Sequence, residues 1–126
     1  MLDSLRYHEL EQNTLVIFVS DNGGFAPAAH MGPLRGAKST TLEGGIRVPL
    51  IMRWPGKLPA GQESSQVCAT FDLTRSILNL TKTKASNRQL EGIDIVKHLV
   101  ERKPNISRTL LWRGKRGERT WSAVRD

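Results

Sequence analysis

Leu2, Leu5 and Leu10 share a broad helical face, with His8, Glu9 and Glu11 off it, so the spacing predicts a short amphipathic helix over residues 2–12. Gln12-Asn13 then reads as a turn. Thr14-Leu15-Val16-Ile17-Phe18-Val19 is a continuous β-branched and aromatic run without alternation. A strand that is apolar on both faces belongs to a parallel sheet covered by helices, which points to an α/β class. The run stops at Ser20-Asp21-Asn22-Gly23-Gly24, all turn formers.

Residues 24–45 are rich in Gly, Ala, Pro and Thr and carry no period, so they read as a long loop, and such loops in compact domains are functional or disordered. Ile46 to Met52 reads as a strand, with Pro49 at an edge or a strand start because it has no N–H to give. Pro55 to Gly61 is a turn-rich connection. Asp72 suggests an N-cap, with Leu73, Ile77 and Leu80 inward behind it. Residues 81–92 are polar and suggest a linker. Asp94 is a second cap, followed by Ile95, Leu99 and Val100 as an inward face and by Pro104 as a stop. Thr109–Trp112 and Thr120–Val124 suggest two strands, joined through Arg113–Glu118 as a hairpin.

Length and composition agree with one modest domain or a piece of a larger one: 126 residues, 38% hydrophobic and 25% charged. The net charge of +7 is unevenly placed. Residues 1–81 hold seven Lys/Arg and seven Asp/Glu, and residues 82–126 hold twelve against five. A basic segment can track a phosphate or an anionic surface, but no nucleic-acid motif accompanies it, so a solvated face is the expectation and no nucleic-acid partner is assigned. No apolar run approaches the roughly 20 residues that cross a membrane, so no membrane partner is assigned either. Residues 1–6 lack the apolar core of a secretory signal. Cys68 is the single cysteine, which excludes an internal disulfide. Asn79-Leu80-Thr81 and Asn105-Ile106-Ser107 are formal glycosylation sequons, a pattern that also arises by chance.

The chemistry-bearing residues cluster after the first strand. Ligands of open α/β sheets bind at the carboxyl ends of strands. Asp21 and Asn22 stand at such an end and offer a carboxylate and an amide oxygen, hard ligands suited to Ca²⁺ or Mg²⁺. Taken alone the dipeptide reads first as a plain Asx turn that closes the strand. Lys38 sits in a glycine-bearing loop that could bring its ammonium to an oxyanion, although most lysines are plain surface residues. Glu43 and Arg47, four apart, could brace that loop.

Four segments together resemble the sulfatase family: Ser20-Asp21-Asn22-Gly23, Leu34-Arg35-Gly36-Ala37-Lys38, Glu43-Gly44-Gly45-Ile46-Arg47-Val48-Pro49 and Arg53-Trp54-Pro55-Gly56. Phe71 to Leu78 resembles the family's next helix, with Arg75 near a usual proline, and Leu90 to Asp94 resembles the lead-in to its C-terminal subdomain, with Glu91 for a usual Asp. The resemblance implies a partial alkaline-phosphatase-like α/β sandwich, a mostly parallel sheet with flanking helices, over residues 1–81. It implies the start of a small α+β subdomain over 82–126. It further implies sulfate-ester hydrolysis, with Asp21 and Asn22 as the late metal ligands for Ca²⁺, Lys38 as the sulfate contact, and a formylglycine nucleophile. Family members are secreted, periplasmic or lysosomal. A phosphoryl or phosphonate hydrolase of the same superfamily, or a non-catalytic anion-binding fragment, remain alternatives.

The formylglycine motif Cys/Ser-x-Pro-x-Arg is not in these residues. Cys68 leads into Ala69-Thr70-Phe71-Asp72, without the proline or the arginine, and suits a small buried hydrophobe. The family's early Asp-Asp pair is also absent, and His30 matches no family histidine. The expectation is therefore half a site, inactive alone, whose partner is a missing N-terminal half, with Thr14–Val19 leaving apolar edges uncovered.

Overall fold

The computed structural model describes residues 1–85 and 90–126, so the middle of the polar linker expected over 81–92 lies outside the described residues. In chain order the helices are α1 (Leu2–Tyr7), α2 (Glu43–Ile46), α3 (Thr70–Leu80) and α4 (Ile95–Val100), and the strands are β1 (Val16–Val19), β2 (Leu50–Arg53), β3 (Leu110–Arg116) and β4 (Arg119–Arg125). The chain divides into two compact units, Met1–Leu15 with Arg53–Ile106, and Val16–Met52 with Ser107–Asp126. The division expected between residues 81 and 82 falls inside the first unit.

In the first unit α1 stops well short of residue 12. The Leu10 N–H reaches back to the Leu5 carbonyl at 2.9 Å, the Glu9 N–H to Arg6 at 3.0 Å, and Glu9 takes a φ of 57°. This is a Schellman stop, with glutamate in the left-handed position that glycine usually fills. A single 3-10 turn, Glu11–Asn13, completes the segment. Arg53 Nη2 donates to Glu11 at 2.7 Å and Trp54 Nε1 to the Gln12 carbonyl at 3.0 Å, tying the Arg-Trp-Pro-Gly turn to this stretch.

The helical core of this unit lies between α3 and α4. The helix begins two residues ahead of Asp72, with Ala69 as its N-cap. Asp72 occupies the third helical position and is fully buried. Its carboxylate accepts the Ala69 N–H at 2.7 Å and the Ile93 N–H at 2.8 Å, so one side chain holds both the helix start and the approach to α4. One turn on, buried Ser76 donates to the Asp72 carbonyl at 2.8 Å and accepts the Val96 N–H at 3.3 Å. Ile77 and Leu80, expected inward, are exposed, because the row facing α4 is Asp72 and Ser76. Asp94 caps α4 as expected, accepting the Lys97 N–H at 3.0 Å. Ile95 and Val96 are buried, whereas Val100 is exposed.

In the second unit β1 pairs with β2 and β3 with β4, in two separate two-stranded sheets. The broad, mostly parallel sheet expected from the Thr14–Val19 run is not present among the described residues, and the β3–β4 pair is antiparallel. The expected Ile46–Met52 strand starts later: Glu43–Ile46 is one helical turn, and β2 begins directly after Pro49. Phe18 on β1 and Ile51 on β2 are 68% and 60% exposed. The hairpin is longer than expected. Arg116 pairs with Arg119, leaving a two-residue loop in which Gly117 takes a φ of 59°. Trp121 lies opposite Gly114, where a Cβ would come within 2.2 Å of the indole nitrogen, so the glycine makes room for the ring. No helix among the described residues is long and apolar enough to cross a membrane.

Candidate metal and anion site

β1 ends at Val19, and the chain turns at once. Ser20 Oγ donates to the Asn22 carbonyl at 2.8 Å, which sets the turn carrying Asp21 and Asn22. The strand's direction thus delivers a carboxylate and an amide to its carboxyl end, as the sequence predicts.

The turn is stitched to the Lys38 loop by backbone. The Gly23 N–H donates to the Gly45 carbonyl at 2.9 Å, and the Lys38 N–H to the Gly24 carbonyl at 3.0 Å. The Gly44 N–H donates to the Arg35 carbonyl at 2.8 Å, so α2 holds both sides of the loop. The approach is closer than any side chain permits. A Cβ at Gly23 would fall 1.8 Å from the Gly44 oxygen, and one at Gly44 would fall 2.2 Å from the Gly36 oxygen. Between them Thr40 Oγ1 donates to the Ala37 carbonyl at 2.8 Å, and the Gly24 N–H meets Met31 Sδ at 3.3 Å. The loop of residues 24–45 is therefore ordered by its own backbone pairing, not by a hydrophobic core.

Among the described residues the Asp21 carboxylate, the Asn22 amide and the Lys38 ammonium enter no hydrogen bond or ion pair. Asp21 and Lys38 are exposed and Asn22 is half-buried. The neighbouring acid is different. Glu43 receives Arg125 Nη1 at 2.6 Å and Arg47 Nη1 at 3.4 Å. The Arg125 hydrogen bond, followed by its charge and by Arg47, outweighs desolvation and holds the Glu43 carboxyl below the usual range. The Glu43–Arg47 brace is the one expected from sequence. Arg125, contributed by β4, was not legible there, since it lies 82 residues from Glu43 and no local spacing links them.

A hard divalent cation fits the two open oxygen donors, and an oxyanion fits the open ammonium. Two protein donors are few for such an ion, and no cluster of three or more His, Cys, Asp or Glu is present among the described residues. His30 is in the same loop, but its Nδ1 accepts the Gly32 N–H at 3.1 Å and it folds on its own turn. Cys68 is half-buried immediately ahead of α3, in the other unit.

Comparison with known proteins bears on this arrangement. Residues 1–83 match the Sulfatase family profile. N-acetylgalactosamine-6-sulfatase of Sus scrofa is 38% identical over 103 residues, covering 77% of this chain and 20% of its own length. The solved structure of Ps i-CgsB superimposes with a TM-score of 0.89 at 30% identity, over 98% of this chain and 28% of that one. The PsFucS1 sulfatase from Pseudoalteromonas sp. gives 0.74 at 32% identity, over 87% of this chain and 23% of its own. The chain spans about a fifth of the length of the curated relatives it matches.

Proposed function

The chain belongs to the sulfatase family, and on that premise we propose that it supplies the late half of a sulfuric ester hydrolase site. Asp21 and Asn22 are the metal ligands in this reading and Lys38 is the sulfate contact. The observation that carries it is the backbone stitch: the Gly23–Gly45 and Lys38–Gly24 bonds bring the carboxylate turn and the lysine loop together, while the chemistry-bearing side chains remain unpaired.

The residues fit the roles. A Ca²⁺-type cation held by the Asp21 carboxylate and the Asn22 amide oxygen would, when bound, withdraw charge from sulfate oxygens. Lys38 donates hydrogen bonds to a sulfate oxygen and neutralises negative charge as the S–O bond to the leaving group lengthens. Arg125, through Glu43, keeps the Lys38 loop seated and touches no substrate. The nucleophile, a formylglycine in a Cys/Ser-x-Pro-x-Arg segment, and the remaining metal ligands would come from chain outside these 126 residues. A secreted, periplasmic or lysosomal location follows the same family reading.

Two measurements test it. Calorimetric titration of the chain with Ca²⁺ should show a dissociation constant weaker than about 0.1 mM, lost in Asp21→Ala, since two donors make a partial shell. Submicromolar binding, or binding indifferent to Asp21→Ala, would sink the half-site. In a longer protein whose coding sequence carries an in-frame Cys/Ser-x-Pro-x-Arg upstream of Met1, Lys38→Ala should lower kcat/KM for an aryl sulfate by about 10²–10³.

A further inference from the structure

Gly24 joins the Asp21 turn to the Lys38 loop, and its two backbone groups meet different partners. Its carbonyl accepts the Lys38 N–H at 3.0 Å, and its N–H donates to Met31 Sδ at 3.3 Å. Half-buried backbone donors are ordinarily satisfied by oxygen, and a thioether is a weak acceptor. The contact is also close. A Cβ at Gly24 would fall 2.6 Å from Met31 Cε and 2.4 Å from Ala29 Cβ, so the glycine is gripped between the methionine tip and the alanine. Met31 itself is only half-buried, within reach of a small oxidant.

We propose that Met31 is a positioning residue: through Gly24 it fixes the backbone of Lys38 against the Asp21 turn, and its oxidation by a peroxide releases that backbone. The role rests on the reading of Lys38 as the sulfate contact. In the oxidation a sulfur lone pair attacks one peroxide oxygen, an S–O bond forms, the O–O bond breaks and water leaves, so the thioether becomes a sulfoxide. The product is bulkier and polar. No room exists for an added oxygen on the side that faces Gly24, because the sulfur and its methyl group already touch the glycine. Either the side chain or the glycine must shift, and the Lys38 N–H then loses a fixed acceptor. The bond from the Gly23 N–H to the Gly45 carbonyl lies outside this contact and stays.

Amide hydrogen exchange, followed by nuclear magnetic resonance on the full chain, tests this before and after hydrogen peroxide, with the Met31 sulfoxide verified by mass spectrometry. Exchange at Gly24 and Lys38 should quicken about fivefold, the share of one hydrogen bond, with Gly23 unchanged. Met31→Leu keeps the volume and removes the sulfur. In it Gly24 should exchange as fast as in the oxidised parent, and peroxide should add nothing, although Met1 and Met52 remain to be oxidised. Methionine sulfoxide reductase should restore the parent rates. Unchanged rates at Gly24 and Lys38 once Met31 is a sulfoxide would overturn the proposal, and so would equal acceleration at Gly23, which marks general loosening. Inorganic sulfate supplies a separate arm. It should shift the Lys38 signals, and bind about fivefold more weakly after oxidation. Sulfate that moves no Lys38 signal would count against the half-site reading, whereas binding equally tight after oxidation would sink the positioning role alone.

Discussion

Gly23, Gly44 and Gly45 meet backbone to backbone, and at this contact the identity of single residues matters most. Gly23→Ala and Gly44→Ala each place a methyl group against a carbonyl oxygen, so each should destabilise the chain by about 2 kcal/mol. Urea unfolding checks this, with the midpoint falling and the slope unchanged. The opposite sign is expected at Glu9, Lys82 and Arg102. Each stands just past a helix end with φ between 50° and 57°, a conformation that L side chains resist. Behind Lys82 the Thr83 N–H reaches the Leu78 carbonyl at 2.9 Å, and behind Arg102 the Lys103 N–H reaches His98 at 3.2 Å, the same stop as at α1. Lys82→Gly should therefore raise stability by roughly 0.5–1 kcal/mol, visible as a higher urea midpoint.

At the scale of elements, α3 and α4 are joined by a polar row. Asp72→Ala would strip the Ala69 and Ile93 N–H groups of their acceptor in a buried place, at a cost of about 2–4 kcal/mol. Thermal unfolding followed by circular dichroism measures it, and a loss below about 0.5 kcal/mol would mean that the carboxylate is dispensable. The same pair of helices shows what a sequence makes legible. Apolar spacing located α3, and the Asp94 cap located α4, because both signals are local. The inward face of α3 is not legible locally: Ile77 and Leu80 look like core, whereas Asp72 and Ser76 are buried because they accept backbone N–H groups of Ile93, just ahead of α4, and of Val96 within it, invisible to any periodicity. The β1 turn and the Lys38 loop were legible from their turn formers and aperiodic composition, and their candidate chemistry through the resemblance of their motifs. The brace from Arg125 was not, for it joins residues far apart in the chain.

For the whole molecule, acid is the informative variable. Three carboxyls, Glu11, Glu43 and Glu101, are held below their ordinary value, chiefly by hydrogen bonds from Arg53, Arg125 and Lys103. A carboxyl whose folded pKa is depressed stabilises the fold above its unfolded pKa of about 4.3, and that contribution fades as pH falls through the folded value. Stability should thus be level from neutral pH down to about pH 5 and should decline below it. Glu43→Gln should flatten its share of the decline, and an acid limb identical to the parent would refute the assignment. All three carboxyls are partly exposed, so salt should weaken the effect.

The glycine stitch also sets an order of events. Gly23 and Gly45 are 22 residues apart, whereas Glu43 and Arg125 are separated by 82. Closing the longer loop costs about 1 kcal/mol more in chain entropy, so the turn and the Lys38 loop can join before β4 arrives. Pulsed hydrogen exchange during refolding should protect the Gly23 amide ahead of the β3–β4 amides. A nascent chain would then hold Asp21, Asn22 and Lys38 in register early, ahead of the hairpin whose Arg125 later meets Glu43.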